Sequence, residues 1–528
     1  MRQYSQNEFF FYFLILMAAG FLCFANLGSH PIYILDEAKN AEAAREMFVN
    51  GNWIVPTFNG ELRTDKPPLH YWFMMLAYKL FGVDAFAARF FSALFGVLTI
   101  ISTYHFTKKF INKKVAAITA FILCSAIFFM QEFHLAVPDP YLIFFLSFGL
   151  FTFYDFYKFG KKSSGLLFYI SIGLAVLAKG PVAIALPGLI ILIFLLMKKE
   201  FNWKTIKKTQ PFLGGILTLS ICVPYFYLVH QATDGAFTEG FFLQHNIQRF
   251  SGEMEGHGGL PFVTWAFVLL GLLPYSFFII QGFIQGWKQR KTHDFILFSF
   301  VVAIVFVVFF SVSMTKLPNY PMPSYPFIGI LISVYLNEIL KKSISLKGYK
   351  ISLWVLLVIT IAMPIAGYIA LSQIETQLYS VRYTSFTLAI LPCAMIASLI
   401  YLYRGKIKES IIVIGMGSMF LSLQMFQFVY PALVAQSPLV LAKNDISSDS
   451  KTILYKGYDP AFLFNYKRTF PFAETKDEVL KFLKENPDAI VITKEKFYES
   501  EWKDVPTEVV LHQKALFENY TIIIFRLK

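Results

Sequence analysis

Thirteen largely apolar stretches recur along the chain, at 8–27, 86–107, 115–134, 139–157, 164–178, 181–198, 210–230, 261–286, 292–312, 321–338, 350–371, 383–403 and 410–432. A helix needs roughly 17 to 25 such residues to cross the hydrocarbon core of a bilayer, and this run of segments fixes the fold class before any motif is considered. With 56% hydrophobic, 18% aromatic and only 15% charged residues, 528 residues cannot cover themselves with a polar surface. The expectation is an all-α polytopic membrane protein of about 13 transmembrane helices. The boundary at 178–181 is marked only by "AKGP". One Arg precedes the first stretch and no small-residue cleavage pattern follows it, which predicts a retained helix rather than a removed leader.

The net charge of +13 would suit a nucleic-acid partner only if it formed a patch on a soluble face. It does not: from Ala442 onward 14 basic residues balance 14 acidic ones, so the whole excess lies in the hydrophobic part. There, alternate loops (108–114, 158–162, 198–208, 288–291, 341–350, 404–408) carry 22 Lys and Arg, against eight in the loops of the opposite side. That bias places the basic loops and the N-terminus in the cytoplasm. The loop 27–85, the loop around His245 and the C-terminal segment then lie outside, at the outer face of a cell inner membrane. Cys23, Cys124, Cys222 and Cys393 all fall in apolar runs without CxxC spacing, and are expected to be small buried hydrophobes.

The C-terminal segment differs in character. The runs "TILYK", "AIVITK", "EVVLHQ" and "YTIIIFRL", with the helical pattern "KDEVLKFLKEN" between the first two, predict a small soluble α/β domain. The expected division is a transmembrane domain over 1–440, including the first outer loop, and an extracytoplasmic α/β domain over 441–528.

The first outer loop is polar in a chain with few polar stretches. "DEAKNAEAAREMF" spaces Ala38, Ala41, Ala44 and Phe48 for a short helix lying along the membrane surface. "TDKPPLHYWFMMLAYKLFG" then puts an acid and a base before a Pro pair and a second amphipathic stretch. On spacing alone, Asp36 could be a helix N-cap, Lys66 a snorkelling base and the prolines a stiff turn. Asp139, in "HLAVPDPY", is open to the same N-cap reading.

The order of these residues nevertheless resembles a known pattern. An apolar helix, a "DE" opening an Ala/Arg-rich run, and then "GNW…P…NG…DKPPL.YW" strongly resembles the first outer loop of the GT-C glycosyltransferases that use polyprenyl-phosphate sugars. Within that family it is similar to protein O-mannosyltransferases and, more closely, to lipid A 4-amino-4-deoxy-L-arabinose transferases. "VPDPYLIFF", "LAKGP", "HNIQRF" and "TKLPNYPMPSYP" follow in the family's order. The resemblance covers the first 330 residues by motif and the remainder by architecture alone.

What the resemblance implies is a sugar moved from polyprenyl (undecaprenyl) phosphate to an envelope acceptor: lipid A, another glycan or protein. The leaving phosphate gains negative charge in the transition state, so cationic and hydroxyl donors should surround it. Lys66, Lys179, Arg249 and Tyr320 are the expected phosphate-binding residues. A carboxylate should take the proton of an acceptor hydroxyl, or orient an acceptor that is already ionised. Asp36 is the first candidate and Asp139 the second, with direct displacement inverting the anomeric centre. Some relatives hold a divalent ion near the donor, for which Asp65 with His245 or His257 offers ligands, although the family more often has Glu at the place of Asp65. Two other readings are a ligase for lipid-linked oligosaccharides and a transporter or flippase. A transporter should show broken or polar helices at mid-membrane and internal repeats, and neither is legible in the sequence.

Overall fold

A computed structural model describes residues 6–248, 259–444, 446 and 450–528. Among the described residues, nine helices are long and apolar enough to cross a membrane, or ten if Phe262–Gly271 and Tyr275–Gln289, bent by 117°, form one span. The other expected spans are shorter or interrupted. Phe10–Phe24 and Val182–Met197 are short apolar helices. The stretch expected at 115–134 is cut at Ala126, whose extended ψ of 98° separates Lys113–Ser125 from Ile127–Glu132. Helix breaks that the apolar pattern did not reveal are therefore present. Hydropathy counts composition and cannot see a single backbone torsion that redirects a helix.

Aromatic side chains fill the space between spans: the rings of Phe110, Tyr154 and Phe295 meet with centroids 4.6–4.9 Å apart, a spacing suited to edge and tilted ring contacts. Cys23, Cys124 and Cys222 are buried and unpaired as expected. Cys393 is exposed on the helix Ile390–Tyr403; an apolar residue in a span can face the lipid as well as the core, so burial does not follow from hydrophobicity here.

The C-terminal region forms a mixed five-stranded sheet. The strands are β3 (Thr452–Tyr455), β4 (Phe472–Ala473), β5 (Ile490–Lys494), β6 (Thr507–Lys514) and β7 (Thr521–Leu527), in the order β4-β3-β5-β7-β6. β3 runs parallel to β4 and β5, and β7 antiparallel to β5 and β6. The helix Lys476–Glu485 opens with a capping box between Thr475 and Glu478. Alternate residues sort to two faces. Ile453, Val491, Ile523 and Phe525 pack with Val479, Leu483 and Trp502, whereas Leu454, Ile490, Ile492, Ile522 and Ile524 belong to a core that also contains Ala38, Ala41 and Ala44 of the first outer loop. A sheet covered on both faces explains why "TIIIF" reads as a continuous apolar run.

That packing changes the reading of the first loop. Its helix, Leu35–Val49, is not spread along a membrane surface: most of it is buried between the helix Leu69–Phe81 and the C-terminal segment Ala461–Tyr466. The hairpin of β1 (Thr57–Phe58) and β2 (Glu61–Leu62) is pinned by Glu46, whose carboxylate accepts from Thr57 Oγ1 at 2.6 Å and from the backbone N–H groups of Asn59 at 2.6 Å and Gly60 at 3.1 Å. At the hairpin tip the Asn59 side chain donates to Phe470 O at 3.1 Å and accepts from Phe470 N at 2.9 Å. Leu516 N donates to the Tyr33 hydroxyl at 2.9 Å. The sheet is thus docked on the loop by both an apolar face and directed hydrogen bonds.

Candidate active site

Chain segments far apart in sequence converge on one cavity of about 400 Å³. The loop helix contributes Asp36 and Lys39, and the turn before Pro67 and Pro68 contributes Asp65 and Lys66. Glu132 ends the short helix after the Ala126 break, Asp139 begins the span Asp139–Phe159, and Lys179 ends the span Lys162–Lys179. His245 comes from Gly240–Gln248, Asn319 and Tyr320 from the loop after Asp294–Val312, and Glu518 from the turn between β6 and β7. Two glycines make this convergence possible. Gly180, at φ +96° and ψ −157°, ends the Lys179 helix in a conformation that side-chain-bearing residues avoid. A Cβ on Gly240 would lie 2.6 Å from Thr64 Oγ1; its absence lets the His245 segment close on the turn that carries Asp65.

Asp36 and Glu37 are adjacent in sequence and opposite in environment. Glu37 is fully buried and bound by Arg89, with Nε–Oε1 at 2.7 Å and Nη2–Oε2 at 2.9 Å, and its Oε1 also accepts from Ala136 N at 2.9 Å. Asp36 lies deep in the protein, yet its side chain is 46% exposed because it faces the cavity. Its nearest cations are Lys66 Nζ at 3.9 Å and Arg63 Nη2 at 4.0 Å. Burial pushes the Asp36 carboxyl upward, but Lys66, Arg63 and Lys179 together outweigh it and hold it down at about 2. Asp65 is held low in the same way: burial raises it, and Arg63, 3.2 Å away, and His245, with Nε2 3.2 Å from Oδ1, pull it down.

On the opposite wall Lys179 is in close contact with Asp139 and lies 5.0 Å from the centre of the Tyr320 ring. Asp139 is 2% exposed. The two candidate carboxylates therefore differ: one opens to the cavity, and the other is spent on a cation. Neither is a cap. The caps are the backbone positions Ile34 and Pro138, with no side-chain cap bond at either, and Asp36 and Asp139 fall inside the first turn of their helices.

Asp36, Asp65, Lys66, Asp139, Lys179, His245 and Tyr320 all line this cavity. Arg249 and His257 lie outside the described residues. Among the described residues, no three His, Cys, Asp or Glu side chains group in a metal-binding arrangement. Asp65 and His245 are two potential ligands, one fewer than catalytic zinc sites take from protein. Sequence reasoning passed over Arg63, whose guanidinium meets both Asp36 and Asp65 and donates to Tyr71 at 3.1 Å and Asn40 at 3.2 Å. It also passed over Glu132 and Asn319. For Glu132 a signal existed, since an acid inside an apolar run is a functional marker by default.

The chain is a helical membrane fold with a small C-terminal sheet, and its cavity brings Lys39, Lys66, Lys179 and His245 together with Asp36, Asp65, Glu132, Asp139 and Glu518. Residues 65–228 match the family model described as dolichyl-phosphate-mannose-protein mannosyltransferase. An uncharacterised protein of Aquifex aeolicus is 31% identical over 360 residues, covering 66% of this chain and 68% of that protein. The undecaprenyl phosphate-α-4-amino-4-deoxy-L-arabinose arabinosyl transferase 2 of Proteus mirabilis is 27% identical over 336 residues, 61% of this chain and 59% of the relative. In fold, the chain is similar to ArnT from Cupriavidus metallidurans, crystallised with undecaprenyl phosphate, at a TM-score of 0.78 and 21% identity over 99% of this chain and 98% of that one. The chain belongs to the GT-C-fold glycosyltransferases.

Proposed function

We propose that this protein transfers a sugar from undecaprenyl phosphate to an envelope acceptor, with lipid A as the leading acceptor, at the outer face of the inner membrane. The observation that carries the reading is that the Asp36 carboxylate opens to the cavity between Lys66 and Arg63, with Lys179 and Tyr320 among the other lining residues. The names of the arabinosyl transferases to which the chain is similar support the donor.

In this reading Lys66 and Lys179, joined by Arg249 and the Tyr320 hydroxyl, hold the lipid phosphate. The acceptor oxygen bonds to the anomeric carbon as the bond from that carbon to the phosphate oxygen breaks, and the configuration inverts. The electron pair leaves on the phosphate, where the cations stabilise it. The acceptor proton passes to Asp36. A carboxylate held at about 2 is a weak base, but the cations that depress it are those the donor phosphate would neutralise. Donor binding therefore raises Asp36 toward a useful range, so that the base becomes competent when there is a sugar to transfer. Asp139 in this scheme keeps Lys179 in place.

A divalent ion could be held by Asp65 and His245, with His257 the further candidate. The two placed ligands do not by themselves complete a site, and no step here depends on a metal. The proposed orientation puts the N-terminus in the cytoplasm and the C-terminal sheet outside. Mass spectrometry of envelope lipids, glycans and proteins from cells with and without the gene tests the function. Loss of a mass increment of one sugar on lipid A upon deletion supports it, and unchanged spectra in all three fractions overturn it.

A further inference from the structure

Two side chains of the cavity wall are left with unsatisfied acceptors. Glu132 is 8% exposed, and its Oε1 has no hydrogen-bond partner among the described residues. Asn319 lines the same cavity, and its buried Oδ1 also lacks one. A buried acceptor without a partner costs on the order of 1–3 kcal/mol, and such atoms are uncommon in native proteins. Two at one cavity wall, beside the Lys179–Asp139 pair, point to a ligand that brings the missing donors. The terminal torsions of Glu and Asn are broad, so each oxygen can turn to the cavity with little strain.

Neither residue suits the phosphate. The unmet atoms are acceptors, and a phosphodiester brings only further acceptors. Lys179 is already paired with Asp139. The chemistry that fits is a group offering O–H or N–H donors and carrying no negative charge, held within reach of the phosphate-binding cations.

We infer that Glu132 and Asn319 form the recognition subsite for the transferred sugar, selecting a hydroxyl- or amine-bearing neutral or cationic sugar and excluding uronic acids. The inference rests on the donor-lipid reading above and adds to it the residues that read the sugar. Glu132 sits here because the break at Ala126 swings Ile127–Glu132 out of line with the preceding helix. Asn319 sits here because Pro318 and Pro321 flank it in the loop that also presents Tyr320.

The test is equilibrium binding of purified full-length protein to undecaprenyl phosphate alone and to the same lipid carrying a neutral hexose, an amino sugar or a hexuronic acid. Wild type should bind the neutral or amino-sugar lipid at least tenfold more tightly than undecaprenyl phosphate, and should disfavour the uronic acid. Glu132→Gln and Asn319→Ala should each lose most of that sugar-dependent gain, leave binding of undecaprenyl phosphate within twofold, and, for Glu132→Gln, relax the exclusion of the uronic acid. A purely structural role would instead lower the thermal midpoint of the ligand-free protein; relief of an unpaired buried acceptor predicts a midpoint for Asn319→Ala that is unchanged or higher. Equal losses on all four lipids, or no change on any, would overturn the subsite. Failure of wild type to bind undecaprenyl phosphate at all would overturn the donor reading itself, which separates the two.

Discussion

Asp36 and Glu37 are consecutive acids of one helix turn, and the helix sends them in different directions: Glu37 is closed off by Arg89 with bonds of 2.7 and 2.9 Å, and Asp36 is left facing the cavity. The fold therefore separates by one residue a carboxylate that holds the loop in place from one that is free to meet a substrate.

The first prediction follows from Asp36. Asp36→Asn preserves size and removes a first-turn charge, costing about 0.3–1 kcal/mol of helix-dipole stabilisation, so the protein should stay folded. Transfer from undecaprenyl-phosphate sugar by detergent-purified enzyme should slow by roughly 10²- to 10⁴-fold, with donor lipid still bound. Near-normal turnover would pass the base role to Asp139 or leave the reaction without one.

Glu37 gives the opposite pattern. Glu37→Ala leaves the Arg89 guanidinium buried without its carboxylate, and breaking a buried pair in this way costs about 3–5 kcal/mol. The expected result is a large drop in thermal midpoint, or no monodisperse protein on size exclusion. Glu37→Met combined with Arg89→Met should recover part of the loss, since no uncompensated charge then remains. A stable single variant would mean that the pair contributes little.

Lys66 has two duties on this reading. Lys66→Met should weaken undecaprenyl phosphate binding by about 10- to 100-fold, the loss of a charge-assisted hydrogen bond worth about 1.5–3 kcal/mol. It should also release Asp36, because Lys66 is the foremost cation holding that carboxyl at about 2. A depressed carboxylate is ionised more readily in the folded protein than in the unfolded one. Its contribution to stability is therefore complete above the ordinary carboxylate range and is lost as pH falls from about 4 toward 2. The acid limb of kcat/KM should accordingly move to higher pH in Lys66→Met. Superimposable limbs would remove Lys66 as the cause.

Asn59 couples the hairpin tip to the sheet through two hydrogen bonds with the Phe470 backbone. Asn59→Ala should cost roughly 1–3 kcal/mol, two bonds at about 0.5–1.5 each. Hydrogen exchange should show faster exchange of the Phe470 amide while amides in the spans keep their protection. Unchanged exchange at Phe470 would show that the apolar face alone docks the sheet.

Topology is checked by single cysteines in a background without Cys23, Cys124, Cys222 and Cys393. Cysteine at Glu61 or Lys503, both exposed and on the proposed outer side, should react with an impermeant thiol reagent in intact spheroplasts; one at Lys204 should not. The reverse pattern would put the cavity in the cytoplasm.

Apolar runs alone identified a polytopic helical chain with a distinct C-terminal sheet region, because hydropathy is summed over about 20 residues and survives local irregularity. The strands of the sheet and the helix 476–485 were legible for a similar reason: alternation and the Thr475–Glu478 cap are local signals. In the loop, spacing alone left Asp36 and Lys66 open to cap and snorkelling readings, and it was the resemblance to the family's first outer loop that singled them out.

The tertiary structure decided what each of them faces. Nothing in "DE" says that Glu37 meets Arg89, 52 positions away, and that Asp36 does not; the two differ only by their rotation about a helix axis, which packing sets. Nor could sequence tell that the loop helix is buried under the C-terminal sheet rather than lying on lipid, because an alanine face suits either partner. The break at Ala126 that delivers Glu132 to the cavity is one torsion in an apolar run, and composition does not record a torsion. Local pattern fixes which residues are helical and which are polar. Contacts between residues distant in the chain fix which polar groups are neutralised and which remain open to a substrate.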